Sequence, residues 1–132
     1  WEYDVEDNAY ALMKTKDNVV GFIHSSATEW RHKFTLDITL EHGAIKLEGI
    51  LSGSKSYGNE TLTVVNSFPD TDSGNPNSQT TLYNSDPSWQ REIEKFIELI
   101  SGKNIENTCD SSEALKTIEL VFKIYESDKN YK

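Results

Sequence analysis

Cysteine is almost missing from this chain of 132 residues, which contains one, Cys109. A single cysteine cannot build an internal disulfide framework, and this composition fits a reducing compartment. Long apolar runs are also missing, and the N-terminus shows no basic segment followed by an apolar one. Because a membrane-spanning helix needs about 18 or more apolar residues in a row, we expect no membrane association and a cytoplasmic location.

Basic residues are scarce as well. Lys and Arg number 13 against 22 Asp and Glu, which gives a formal net charge of −9. A chain with this charge repels nucleic-acid phosphates and anionic lipid headgroups. Nucleic acid is therefore excluded as a partner.

Several sequence motifs that are typical of metal-binding, catalytic or cofactor-binding sites are absent. The three histidines, His24, His32 and His42, match no zinc-binding spacing, and no cysteine accompanies them, so we expect no metal site. The chain lacks a Gly-x-Ser-x-Gly nucleophile elbow, a dinucleotide-binding fingerprint and a phosphate-binding P-loop. The chain itself is therefore not expected to bind a cofactor phosphate.

The clearest pattern that is present runs from His32 to Leu40, where even positions are mostly apolar and odd positions polar. Strand side chains alternate between two faces, so this pattern predicts a strand with one buried and one wet face. A turn at 41–43 and a partner strand at 44–51 complete a hairpin. With strands at 8–15 and 19–27, the hairpin is predicted to form a four-stranded antiparallel meander.

A fifth strand is predicted at 61–65, followed by a long polar loop over 66–85 that includes an edge strand at 80–83. The period then becomes helical, with one helix starting at Asp86-Pro87 and stopped by Gly102, and another starting at Asp110. We predict a single α+β domain over 1–132. It has an open-faced antiparallel sheet of five or six strands and two C-terminal helices packed on one face.

Side chains able to bind a ligand are concentrated at the entry to the alternating strand, in the run Glu29-Trp30-Arg31-His32-Lys33. An aromatic ring can stack on the C–H face of a sugar, while guanidinium and ammonium groups hold anionic oxygens. The run therefore suits a sugar or sugar phosphate. It also suits a solvated strand end in which Trp30 covers the edge of the core. The residues alone leave both interpretations open.

Four stretches of the chain carry a resemblance to a known family. They are 5–12, 24–34, 49–60 with its Ser56-Tyr57-Gly58, and the helix start at 86–89. In this order and spacing they resemble the C-terminal domain of the glucose–fructose oxidoreductase/inositol dehydrogenase/rhizopine catabolism (Gfo/Idh/MocA) family. The resemblance is closest to sugar or nucleotide-sugar dehydrogenases of bacterial polysaccharide pathways.

The resemblance implies that this chain is the C-terminal half of an NAD- or NADP-dependent oxidoreductase. The cofactor and the catalytic residues would belong to an N-terminal Rossmann domain that is absent from this chain. No catalytic or cofactor-binding residue is then expected here, and the chain alone is expected to be inactive. The implied partners are that Rossmann domain, a sugar or nucleotide-sugar substrate, and a second copy bound through the open sheet face, giving a homo-oligomer such as a dimer.

The residues expected to contact the substrate combine the charged run with two positions in the matching stretches. They are Glu29, Trp30, Arg31, Lys33, His24 and Tyr57. The alternative function is a stand-alone α+β module that binds a ligand or forms an oligomer without catalysis.

Overall fold

A computed structural model of the chain describes residues 4–51, 56–68, 74–103 and 110–129. Six strands precede two helices: β1 (Asn8–Lys14), β2 (Val20–Ser26), β3 (Thr35–Leu40), β4 (Gly43–Glu48), β5 (Glu60–Asn66), β6 (Asn77–Tyr83), α1 (Ser88–Ile100) and α2 (Ser111–Ser127). The predicted α+β class, with six antiparallel strands and a C-terminal helix pair, is confirmed. The position of the helices on one sheet face stays a prediction.

The strands form two antiparallel sheets. β1 pairs with β2 alone, and β3, β4, β5 and β6 form a second sheet in simple sequential order. The predicted meander through the first four strands is therefore wrong. Neighbouring antiparallel strands are usually joined by a tight turn. The connection after β2 is instead an irregular segment at 27–34, and β2 does not pair with β3.

The chain divides into two compact units. We call Thr28–Trp89 the sheet unit, since it contains β3 to β6, and Trp1–Ala27 together with Gln90–Lys132 the hairpin–helix unit. Of the predicted substrate contacts, five lie in the sheet unit, namely Glu29, Trp30, Arg31, Lys33 and Tyr57. His24 lies in the hairpin–helix unit.

The strand register gives the sheet unit an apolar face and a polar face. One apolar row joins Leu36, Leu47 and Leu62 across three strands, and a second row joins Ile38, Ile45 and Val64. The polar face contains Thr35, Asp37, Thr39, Lys46, Glu48, Thr61 and Thr63. The alternation predicted for β3 is present in this register, because directly opposite residues of an antiparallel pair share a face.

The burial predicted for the apolar side of β3 is wrong for the residues that the structure describes. Leu36, Ile38 and Leu40 all remain exposed, with Leu40 at 55%. β3 is an edge strand of its sheet and has a neighbouring strand on one side only. The central strands β4 and β5 are less exposed, with most of their residues half-buried.

The hairpin–helix unit contains a hydrogen-bonded turn between its strands and a hydrogen bond between α2 and the N-terminal segment. In the turn between β1 and β2, the Thr15 amide donates to the Val19 carbonyl at 2.9 Å. Asn18 adopts a φ of 66° there, a left-handed conformation that Asn tolerates better than most residues. Nearer to the N-terminus, the Tyr125 hydroxyl of α2 donates to the Glu6 carboxylate, and this bond lowers the pKa of Glu6.

Both helices begin within one residue of their predicted starts, and α1 ends just before Gly102, as predicted. Asp110 caps α2 by accepting hydrogen bonds from the amides of Ser112 and Glu113, and the Ser112 hydroxyl and the Glu113 amide lower the pKa of that carboxyl. Asp86 accepts from the Ser88 amide at the start of α1. At the other end, Gly102 has a φ of 75° and closes α1 with a Schellman motif.

The apolar side of each helix is exposed in the structure. In α1 the exposed apolar residues are Trp89, Ile93, Phe96, Ile97 and Ile100, and in α2 they include Leu115, Ile118 and Phe122. Among the described residues, no helix combines the length and the apolar character needed to cross a membrane.

Candidate functional site

The charged run Glu29–Lys33 lies in the irregular segment that leads into β3, and each of its side chains is exposed. Trp30 is 96% exposed, so its indole ring does not cover the edge of a core. Of the two roles that the sequence leaves open for Trp30, the structure does not support packing against the core. An accessible indole remains able to stack on a ligand.

The two cations of this run, Arg31 and Lys33, form no ion pair with any residue in the described ranges. The run as a whole carries two positive charges and one negative charge, in a chain whose formal net charge is −9. Because the charges of Arg31 and Lys33 are not neutralised by described neighbours, they are available to an anionic ligand. The segment is therefore a local positive site on an acidic chain.

His32 joins this run to a second segment of the chain. Its Nδ1 lies 2.9 Å from the Ser56 hydroxyl oxygen, and its ring centroid lies 4.9 Å from that of Tyr57, with the two planes at 46°. Ser56 and Tyr57 form the turn that precedes β5. Two stretches separated by more than twenty residues thus meet at one end of the four-stranded sheet.

Two hydrogen bonds fix the chain beside these two segments. The Gly49 amide donates to the Phe34 carbonyl at 3.0 Å, and the Leu51 amide donates to the Glu60 carboxylate at 2.8 Å. Gly49 has a φ of 73°, and its α-carbon lies so close to the Asn59 carbonyl that there is no room for a side chain. Only glycine fits this conformation and this close approach.

His24 stands apart from this cluster, in β2 of the hairpin–helix unit. Its ring stacks on that of Tyr10, the residue opposite it in β1, with centroids 4.3 Å apart and planes at 9°. Both side chains are exposed. His24 therefore lies on an open face of its own hairpin, and its predicted contact with substrate stays a prediction.

Two residues of the cluster were missed by the sequence reasoning. His32 was placed on the buried side of the alternating strand, but β3 begins only at Thr35, so the alternation does not extend to it. Ser56 was seen only as part of a matching stretch. The missing signal was the contact of His32 with Ser56 and Tyr57, which depends on the register of β3, β4 and β5 and cannot be read from local sequence.

A separate shallow pocket of about 320 Å³ lies at the opposite end of the sheet. It is lined by Leu40, Glu41, His42, Gly43, Ala44, Ile45, Val64, Val65 and Asn66. None of the predicted substrate contacts lines it.

In the part of the chain that the structure describes, no three His, Cys, Asp or Glu side chains are grouped so that they could hold a metal ion. Cys109 lies outside the described residues.

Comparison with known proteins gives no match: no protein-family model matches the chain, and neither does any curated protein or solved structure. The family resemblance therefore rests on the four stretches of sequence. The function is argued from those stretches together with the geometry of the site.

Proposed function

We propose that this chain is the substrate-side and assembly domain of an NAD- or NADP-dependent oxidoreductase that acts on a sugar or nucleotide sugar in a cytoplasmic pathway of polysaccharide biosynthesis. One observation supports it most. The segment containing Glu29–Lys33 and the turn containing Tyr57, which the resemblance separately relates to substrate, are in contact through His32.

In this proposal the chain binds and orients substrate and supplies no catalytic group. Hydride transfer requires the reacting carbon to be held about 3–3.5 Å from the nicotinamide, which is a positioning task. Arg31 and Lys33 bind the anionic part of the substrate, Trp30 and Tyr57 stack on its rings, and Glu29 accepts hydrogen bonds from its hydroxyls. NAD or NADP is bound by a separate Rossmann domain.

Removing both cations tests this role. The double variant Arg31→Ala/Lys33→Ala is expected to bind UDP-glucuronic acid about 10- to 100-fold more weakly than the unchanged chain, because charge-assisted hydrogen bonds to the anion are lost. Titration calorimetry at low salt measures the change, and the binding of the unchanged chain should weaken as salt is added. In the complete enzyme, the same variant should raise KM.

A matched control is provided by Lys14 and Lys16, which have the same spacing but lie at the turn of the β1–β2 hairpin. Lys14→Ala/Lys16→Ala removes the same total charge and should leave the affinity within about twofold, since neither lysine belongs to the charged run that is proposed to bind the anion. Equal affinities for the Arg31/Lys33 variant and the unchanged chain would rule out the proposed role of these cations.

The second candidate is a stand-alone ligand-binding or oligomerisation module without catalysis. The observation that favours it is the exposed apolar surface of the sheet unit, including Leu36, Ile38 and Leu40. Exposed apolar rows of this kind are typical of surfaces that bind another protein layer. The two candidates share the assembly role and differ in whether a nicotinamide-binding domain belongs to the same protein.

A further inference from the structure

We propose that His32 determines substrate specificity by hydrogen-bonding a sugar hydroxyl through its Nε2 atom, while Ser56 fixes the orientation of the imidazole ring. This inference rests on the proposed function and adds to it a residue outside the predicted contacts. It also names the chemical group that the residue recognises. The substrate would be a sugar with a free hydroxyl beside an anionic group.

The two nitrogens of the His32 ring are in different situations. Nδ1 is engaged by the Ser56 hydroxyl at 2.9 Å. Nε2, on the far side of the ring, has no hydrogen-bond partner among residues 4–51, 56–68, 74–103 and 110–129, and the side chain is exposed. A ring that is held through one nitrogen presents the other in a fixed direction. Nε2 is thus both oriented and available.

A hydroxyl is the group that Nε2 suits best. In a neutral imidazole one nitrogen donates and the other accepts, and the bond between Nδ1 and Ser56 decides which. If the Ser56 hydroxyl donates to Nδ1, then Nε2 carries the proton and donates. In the opposite case Nε2 accepts. A hydroxyl can pair with either form, whereas a carboxylate only accepts and an ammonium only donates.

The residues around His32 are of the kinds that bind a sugar. The Tyr57 ring lies 4.9 Å from the imidazole at an angle of 46°, so an aromatic ring stands beside the ring that carries Nε2. A sugar presents the same combination of C–H faces and hydroxyl edges. Arg31 and Lys33 flank His32 in the chain and supply positive charge for an anionic group of the same ligand.

Two conservative substitutions separate recognition through Nε2 from a structural role of Nδ1. The amide of Gln reaches about as far as Nε2, and the amide of Asn reaches about as far as Nδ1. If His32 acts through Nε2, His32→Gln keeps more affinity for UDP-glucuronic acid than His32→Asn. If His32 only ties Ser56 in place, His32→Asn keeps more. The affinity of His32→Ala for UDP-glucuronic acid is expected to be about tenfold lower, because one hydrogen bond and one ring contact are lost.

The probe UDP separates this inference from the proposed function, because it retains the phosphates and lacks the glucuronic acid. The 132-residue chain and its variants are titrated with UDP-glucuronic acid and with UDP. His32→Ala is expected to bind UDP-glucuronic acid about tenfold more weakly and to bind UDP as tightly as the unchanged chain does. In long-range nitrogen–proton NMR spectra, the imidazole of His32 should show one tautomer, and Ser56→Ala should restore a mixture.

Three results would overturn the inference. Equal losses for UDP and UDP-glucuronic acid in His32→Ala would assign His32 a structural role. Undiminished binding of UDP-glucuronic acid in His32→Ala, together with a loss in Arg31→Ala/Lys33→Ala, would reject the inference and leave the proposed function standing. If the unchanged chain binds neither probe, the proposed function fails and the inference fails with it.

Discussion

Replacing Gly49 by alanine is expected to destabilise the sheet unit strongly. Gly49 has a φ of 73°, and a β-carbon there would overlap the Asn59 carbonyl oxygen and approach the Tyr57 carbonyl oxygen at 3.2 Å. These are backbone atoms next to β5, so relieving the overlap requires the connection between β4 and β5 to move. The cost adds to that of the left-handed conformation, and we expect a loss of roughly 3 kcal/mol or more.

Gly58→Ala is the matched control. Gly58 also has a positive φ, 81°, but a β-carbon there would meet no atom of the described residues within 4 Å. Its cost is the left-handed conformation alone, about 1–2 kcal/mol. Urea denaturation followed by circular dichroism gives both free energies of unfolding. Similar losses for the two variants would mean that the close approach of Gly49 to Asn59 does not hold the sheet unit together.

A lysine in place of Thr39 is expected to separate the subunits of the homo-oligomer that the proposal requires. Thr39 lies on the polar face of β3, opposite Ala44. If two copies pair through this face about a two-fold axis, each contributes the introduced ammonium to the same interface. Like charges facing each other in an interface cost several kcal/mol, so the dimer should dissociate at concentrations roughly 100-fold higher than before.

Sedimentation equilibrium measures this change directly, with Asn84→Lys as control. Asn84 is exposed and lies between β6 and α1, so it adds the same charge outside the strands. The unchanged chain and the control should have the mass of an oligomer, and Thr39→Lys that of a monomer. If all three sediment alike, the polar face is not the surface through which copies assemble.

Much of the secondary structure could be predicted because its signals are local. Asp110 as an N-cap and Gly102 as a helix end each act within a few residues, and both behave as expected. The alternation in β3 follows from the pleat of a single strand. The partition into two sheets could not be predicted in this way, because it depends on whether β2 pairs with β3, which local sequence does not determine.

In the candidate site, too, features that are local in sequence could be predicted, and contacts between distant residues could not. Trp30, Arg31 and Lys33 stand out in the sequence because they are adjacent, and the structure places them together on an exposed segment. The contacts of His32 with Ser56 and Tyr57 were not predicted, because they join residues that only the strand register brings close. His24 was grouped with the charged run by proximity in sequence, but it belongs to a different unit.

The central claim is that this chain serves a nicotinamide-dependent sugar oxidoreductase, and the coding sequence upstream of Trp1 tests it most directly. A Rossmann domain and its linker need about 200 residues at ordinary domain sizes. The account predicts that this region encodes a strand followed by Gly-x-Gly-x-x-Gly, then Glu-Lys-Pro, and a histidine shortly before Trp1. An upstream region of that length without a dinucleotide-binding fingerprint would contradict the oxidoreductase function and favour a ligand-binding or oligomerisation module.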